Sequence, residues 1–352
     1  MLKRLSISLF LGANLCTILL LWLCVALTFV SPDVMPRLSL LTLAFPIFLV
    51  VDILFIFFWL LFHARLVWVP IAGALLVGGY ILDYCPIHFS NNNSNKLADT
   101  TITVATFNVS YIESDEEKQN ELIRFLNTAN ADIVCLQELN KSFFKDHKAW
   151  LDTTAYHTLQ SINVAILSRH PFLSEALNID YPTRSNHSIA CWIDYQGDSL
   201  LLVNNHLESN HFSMEERVDY TNAITVPDRQ AIKHSSLTLM NKMSEAAAYR
   251  GKQADSICSL IDRNAEKNVI VCGDLNETPI SYTYQRLARR LTSAYREKGF
   301  GPGFTFSQRS FPVRIDHLFY SSGLECSSCC IDKSVSSSDH YPLIVRLGKK
   351  VH

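Results

Sequence analysis

The sequence predicts an α/β domain preceded by three transmembrane α-helices, and two observations predict it. Nearly all charge lies beyond residue 85, and from Thr101 onward short apolar strands alternate with helical stretches. A length of 352 residues with 48% hydrophobic content accommodates one large domain and an apolar extension. The expected division is a membrane anchor at 1–85, a linker at 86–100 containing the Asn-rich FSNNNSNK, and a catalytic-type domain at 101–348.

Three apolar runs make up the anchor: Leu5 to Val30, Leu38 to Phe62 and Leu66 to Tyr80. The first two exceed the roughly 20 residues that cross a bilayer core. The third is shorter, contains Pro70 and follows the connector His63-Ala64-Arg65, which demands a tight hairpin. The first run is too long for a cleaved signal peptide and has no small-x-small cleavage site, so it is read as retained. Lys3, Arg4 and Arg65 fall on one side and Arg37 on the other, and the larger set marks the cytoplasmic side. Three spans then leave the C-terminal domain extracytoplasmic, in a bacterial inner or plasma membrane. Asp52 lies near the middle of the second span, where an acid costs about 2.5–3.5 kcal/mol. A hydrogen bond to a neighbouring helix is the expected remedy.

The strand candidates are TITVATF, DIVCLQ, NVAILS, IACWID, LLLVNN, NVIVCGD, IDHLFYS and LIVRL. Between them, Glu116 to Asn130 places Leu122, Ile123, Phe125 and Leu126 on one helical face. Ile232 to Ile261 does the same with Leu237, Met240, Ala247, Ala254, Ile257 and Ile261. Strands interleaved with helices indicate a sheet buried under helices.

Polar residues cluster where the strands end. Asn108, Glu138, His206, Asp274 with Asn276, and Asp339-His340 all lie at such positions, where function concentrates. Acid, amide and imidazole groups are what a divalent-metal phosphate site requires. Mg²⁺, or Mn²⁺ in its place, takes oxygen ligands from one or two carboxylates and a phosphate while keeping several waters. Glu138 offers such a carboxylate. In Asp274-Leu275-Asn276 the strand period of two puts carboxylate and amide on one side. Asp339 and His340 are adjacent and point apart, so Asp316 in RIDHLF is the candidate partner for the His340 ring.

TFNV, LQE, NNHLES, GDLNETP, RIDHLFYS and SDHYPL occur in the order and approximate spacing of the endonuclease/exonuclease/phosphatase superfamily, which the chain resembles from about Thr101 to Leu347. GDLN and SDH are weak alone; the six in sequence are specific. The resemblance implies a four-layer α/β sandwich (DNase I-like) and metal-dependent hydrolysis of a phosphodiester or phosphomonoester. It also implies that Asn108, Glu138 and Asp339 lie on the metal side, and that His206 contacts the scissile phosphate or protonates the leaving oxygen. Asp274 and Asn276 would position the attacking water, Asp316 is the terminal acid, and His340 is the phosphate-binding or base histidine. Which histidine is acid and which base stays open.

Three functions fit: hydrolysis of a phospholipid or other envelope phosphate ester, a surface nuclease acting on external nucleic acid, and a non-catalytic scaffold or receptor. The substrate is a phosphate ester of lipid, nucleic acid or inositol phosphate type, the bilayer is a partner through the helices, and no protein partner is called for. Subtracting the four basic and three acidic residues of the anchor from totals of 31 and 33 leaves 27 and 30, so the domain lacks the bulk positive charge of duplex binders. Intact acids and histidines at every motif speak against the scaffold. Specificity is expected in the loop Tyr181–Ser188 and in a lid-like stretch from Glu208 to Lys233, with Arg184, Asn186, Arg250 and Gln253 as candidates to face substrate.

Six of the ten cysteines, at 16, 24, 135, 191, 258 and 272, read as small buried hydrophobes. Cys326, Cys329 and Cys330 lack the second ligand pair that zinc normally needs. Asn-x-Ser/Thr sequons, among them those at Asn92, Asn108, Asn186 and Asn276, coincide in part with site residues. They are read as accidental, which favours a bacterial setting.

Overall fold

The computed structural model describes residues 2–88, 101–110, 115–210, 229–307 and 312–350. Two compact units emerge: residues 1–84 with 210–251 and 279–285, and residues 85–209 with 252–278 and 286–352.

In the first unit, α1 (Leu2–Leu27) and α2 (Phe45–Phe62) form where the longest apolar runs lie. Segments Arg4–Leu27 and Pro36–Phe62 are long and apolar enough to cross a membrane. The expected third span is instead two helices, α3 (Trp68–Leu75) and α4 (Gly78–Tyr84), bent by 67°. Pro70 lies in the first turn of α3, where it is tolerated, so the break falls ahead of the Gly78-Gly79 pair. The unit therefore offers two spans, or three if the bent pair is one. Asp52 is fully buried, and its Oδ1 accepts a hydrogen bond from Asn14 Nδ2 at 3.1 Å. Trp59 Nε1 donates to Asn14 Oδ1 at 3.0 Å, so the acid meets the neighbouring helix as expected.

The second unit is built on two six-stranded sheets. One runs β11-β12-β1-β2-β4-β3 and the other β5-β6-β7-β8-β10-β9. Their strands are β1 (Thr101–Asn108), β2 (Ile133–Gln137), β3 (His157–Ser161), β4 (Val164–Ser168), β5 (Leu177–Asn178), β6 (Ser188–Tyr195), β7 (Asp198–His206), β8 (Asn268–Asp274), β9 (Thr292–Ser293), β10 (Asp316–Tyr320), β11 (Leu324–Ile331) and β12 (Leu343–Lys349). Among the described residues only β1/β2 and β7/β8 pair in parallel, each across a helical connection. These helices are α5 (Glu116–Thr128) and α6 (Arg229–Arg263). Inward residues of both sheets, among them Val104, Cys135, Ile166, Cys191, Leu202, Ile270 and Val345, share one core. On the opposite face of the first sheet, Leu122, Phe125 and Leu126 of α5 cover Ala105, Phe107 and Val134. This is the α/β sandwich that the resemblance implied. The Asp115 carboxylate accepts from Lys118 N and starts α5, with Glu116 and Glu117 favouring its N-terminal dipole.

The eight expected strands are present, and β3, β5, β9 and β11 are additional. Their sequences, such as HTLQS and LECSSCCI, are too polar or too short to show an apolar period. Cys326 to Cys330 lie on β11, where alternation and a bulge disperse them into one buried, one half-buried and one exposed free thiol. Ala254, Ile257 and Ile261 of α6 are buried, whereas Leu237 and Met240 are 48% and 44% exposed, contrary to their expected inward position. Residues 89–100 of the linker and 211–228 of the lid-like stretch lie outside the described residues.

Candidate active site

The sheet registers gather the polar strand ends. In β7/β8 His206 pairs with Asp274, and in β8/β10 Asp274 pairs with Asp316. Gly273, at φ +124, is required here because a Cβ would collide with the Asn205 backbone. The loop before β12 is tied to the end of β1 by Ser338 Oγ, which donates to Asn108 O at 2.7 Å and accepts from His340 N at 3.0 Å.

Asn108 Nδ2 donates to Glu138 Oε1 at 3.2 Å and to Asp274 Oδ2 at 3.0 Å, bridging two acids from different sheets. His206 Nε2 lies 3.3 Å from Glu138 Oε1 and 4.0 Å from Asp274 Oδ2. His340 Nδ1 meets Asp316 Oδ2 at 2.8 Å, and its Nε2 lies 3.9 Å from Asp274 Oδ2. Asn276 donates its backbone N–H to Asp274 Oδ1 at 2.8 Å and its amide to Leu207 O at 3.1 Å. Asn108, Glu138, His206, Asp274, Asn276, Asp316 and His340 thus form one contiguous constellation. Asp339 is half-buried beside it, its carbonyl holding Ser307 N at 2.7 Å, and its charge reaches His340.

Two members, Glu138 (φ 55) and Asn276 (φ 51), adopt left-handed backbone. Asparagine tolerates this region, but for glutamate it is strain of the kind concentrated at functional sites.

The charges push one another apart. Burial, then the neighbouring Asp316, raise the Asp274 carboxyl above its ordinary range. For Asp316, burial is outweighed by the charge and hydrogen bond of His340, which hold its carboxyl low. Burial likewise opposes charge on His340, yet Asp316, with Asp274 and Asp339, raises it to about 10. Glu138 is lowered: its burial is overcome by His206 and Asn108.

Ligand atoms of Asp274, Asp316 and His340 lie within 4.8 Å of one another, a candidate metal cluster among the described residues. This tight set consists of residues expected to be catalytic, while Glu138 and Asp339, expected on the metal side, lie outside it. His340 Nδ1 and Asp316 Oδ2 are already engaged with each other. A hard cation is better served by oxygens not so committed. Converging acids with a raised Asp274 carboxyl are a donor set that a divalent cation fits.

Asn163 and Gln137 were not among the candidate residues, whereas Asn186 was, as one to face substrate. Asn163 Nδ2 lies 3.4 Å from His206 Nδ1, and Asn186 Nδ2 lies 3.2 Å from His206 Nε2 while donating to Leu207 O and Ser209 Oγ. Beneath them Gln137 Nε2 donates to Asn204 Oδ1 at 2.6 Å and to Thr106 Oγ1 at 3.0 Å, stitching the two sheets together. Polar residues inside otherwise apolar strands were the available signal. Asn186 is buried against His206, and Gln253 and Arg250 are buried as well. Gln253 accepts from Glu208 N and donates to Pro182 O, and Arg250 donates to Asn210 Oδ1. Arg184 is exposed, its backbone N–H held by Glu208.

A two-sheet α/β sandwich with acids, amides and a histidine–aspartate pair at its strand ends defines a hydrolase of phosphate esters. The chain belongs to the endonuclease/exonuclease/phosphatase family, whose model matches residues 105–238 and 254–340. Residues 7–84 match a second family model, described as a domain of unknown function (DUF8431). The chain is similar in fold to the human Nocturnin catalytic domain with bound sulfate anion, at 18% identity and a TM-score of 0.52, covering 71% of this chain and 95% of that one. It is similar to D. rerio TDP2 complexed with single strand DNA product, at 16% identity and a TM-score of 0.52, covering 71% and 100%. It is also similar to an endonuclease/exonuclease/phosphatase from Beutenbergia cavernae, at 14% identity and a TM-score of 0.51, covering 71% and 72%. No curated protein matches the chain in sequence.

Proposed function

We propose that the protein is a membrane-anchored, Mg²⁺-dependent phosphoesterase acting on a phospholipid or other envelope phosphate ester, with Mn²⁺ able to replace Mg²⁺. The observation that carries this reading is the Asn108 amide joining Glu138 to Asp274 within hydrogen-bond distance of both, beside the His340–Asp316 pair. Glu138 and Asp339, with Asn108, would hold the ion, which when bound supplies positive charge to a phosphoryl oxygen.

Each side chain then has a task its geometry suits. Asp274 orients a water toward phosphorus, and Asn276 steadies that carboxylate through its backbone N–H at Oδ1 and its amide at Oδ2. Asp316 fixes the His340 ring through Nδ1 and leaves Nε2 to face the phosphate as a proton-bearing donor. His206, bracketed by Asn163 and Asn186, stands next to Glu138 on the leaving-group side.

The anchor, its expected extracytoplasmic orientation and the acidic balance of the domain support a lipid or envelope ester. A surface nuclease is the second reading, favoured by the likeness to a fold-relative that was crystallised with single-strand DNA product. The test is hydrolysis by the full-length protein in nanodiscs, with and without Mg²⁺, of bis-p-nitrophenyl phosphate, sphingomyelin, an inositol polyphosphate and plasmid DNA. Turnover of lipid but not plasmid upholds the first reading, and the converse selects the second. No hydrolysis of any substrate leaves the scaffold reading. Protease added to spheroplasts should reach the catalytic domain if it is extracytoplasmic.

A further inference from the structure

The residues that follow the catalytic strand end are folded with the anchor. Pro279–Gln285 belongs to the helical unit, beginning three residues after Asn276. Ile280 is 1% exposed and packs with Leu21, Cys24, Phe45 and Val77 of the anchor. Ser281 caps the next helix, α7 (Tyr282–Ala288): its Oγ accepts from Tyr284 N at 3.1 Å and its carbonyl from Gln285 N at 3.1 Å. This makes the segment a stiff turn. The Gln285 amide spends both hydrogens, donating to Pro279 O at 3.0 Å and to Asp83 Oδ2, near the end of α4, at 2.9 Å. Asp83 and Gln285 are both buried. An acid–amide pair at this depth is costly unless its geometry is kept, so it fixes Pro279 to the anchor rather than merely touching it.

We propose that Asp83 is a positioning residue for hydrolysis: through Gln285 and Pro279 it holds the chain leaving Asn276, so turnover requires the anchor to be folded around that chain. Asn276 is itself tied to the site, its backbone N–H to Asp274 Oδ1 at 2.8 Å and its amide to Leu207 O at 3.1 Å, so a shift of the chain that leaves it is felt there. From the other side, Glu277 O accepts from His317 Nε2 at 2.9 Å. The anchor is then a working part of the enzyme and not only a tether. The inference rests on the phosphoesterase reading above.

The experiment compares full-length wild type with Asp83→Ala, Gln285→Ala and Asp83→Asn in nanodiscs, following bis-p-nitrophenyl phosphate hydrolysis and hydrogen–deuterium exchange over residues 274–281. The alanine variants are expected to lose about tenfold in kcat, with KM and Mg²⁺ dependence changed less than about twofold, because misplacement of a catalytic group acts on the transition state. Exchange over 274–281 should rise in step. Asp83→Asn keeps an oxygen for Gln285 and should restore most of kcat, which a general loss of folding would not allow. Unchanged kcat and exchange in both alanine variants overturn the proposal, as does a loss that Asp83→Asn fails to relieve. Faster exchange in the variants of a wild type that hydrolyses nothing upholds the coupling and sinks the phosphoesterase reading instead.

Discussion

His340 Nδ1 and Asp316 Oδ2 are 2.8 Å apart, both side chains almost wholly buried, and each holds the other in its charged form. Replacing Asp316 by Asn keeps the shape and removes the charge that retains the proton and fixes the ring. Asp316→Asn is expected to lower kcat by about 10²-fold or more, the scale of a general acid–base contribution. His340→Ala should cost a similar amount, and the double variant little beyond either, because the two act as one unit. Steady-state hydrolysis of bis-p-nitrophenyl phosphate measures all three. Additive losses would separate the pair.

Asp274 lies in a different position, since burial and the nearby Asp316 carboxylate raise its pKa. A carboxyl raised in the fold loses stability as pH rises above its unfolded value, so near neutrality its charge works against folding. Asp274→Asn should therefore melt at a higher temperature than wild type in EDTA at pH 7 while losing activity by about 10²-fold. Mg²⁺ should raise the melting temperature of wild type and do less for the variant. Differential scanning fluorimetry reads both effects, and a variant less stable than wild type in EDTA contradicts the argument.

Asn163 and Asn186 flank the two ring nitrogens of His206. Removing either amide frees the ring to turn without deleting it. Asn163→Ala and Asn186→Ala are expected to lower kcat by about tenfold each in a wild-type background, and by much less in His206→Ala. A loss of equal size in both backgrounds would assign these amides to some other task.

The site was legible because its chemistry lies at strand ends, and strands of the type LLLVNN or NVIVCGD announce themselves by apolar runs. The Asp316–His340 pair followed from a single geometric argument, that neighbours such as Asp339 and His340 point apart. Asn163 was harder, because it opens the run NVAILS rather than closing one and meets His206 43 residues along the chain. Asn186 was a candidate to face substrate, but its place against His206 depends on the fold. Edge strands such as β11 carry alternating exposed residues and lose the apolar signal. The bend between α3 and α4 was hidden too, since hydropathy sums composition and is blind to direction. The docking of Ile280 into the anchor depends wholly on tertiary packing, and local sequence gives no sign of it.

His317 provides a prediction that leaves the chemistry aside. It is 1% exposed on β10, and its Nε2–H donates to the Glu277 carbonyl. Burial, followed by the charge of Arg314, lowers its pKa from 6.5 to about 3. Between these values the unfolded chain binds a proton that the folded chain refuses, so stability rises with pH across that window and falls on acidification. The slope from this one residue is at most about 1.4 kcal/mol per pH unit. His317→Gln keeps a donor for Glu277 O and cannot titrate, so its melting temperature should fall less steeply than that of wild type from pH 6.5 downward. Above pH 7 the two curves should run parallel, offset only by packing. Melting curves of both proteins from pH 4 to 8 in the same detergent supply the comparison, and equal acid slopes would show that His317 is protonated within the fold.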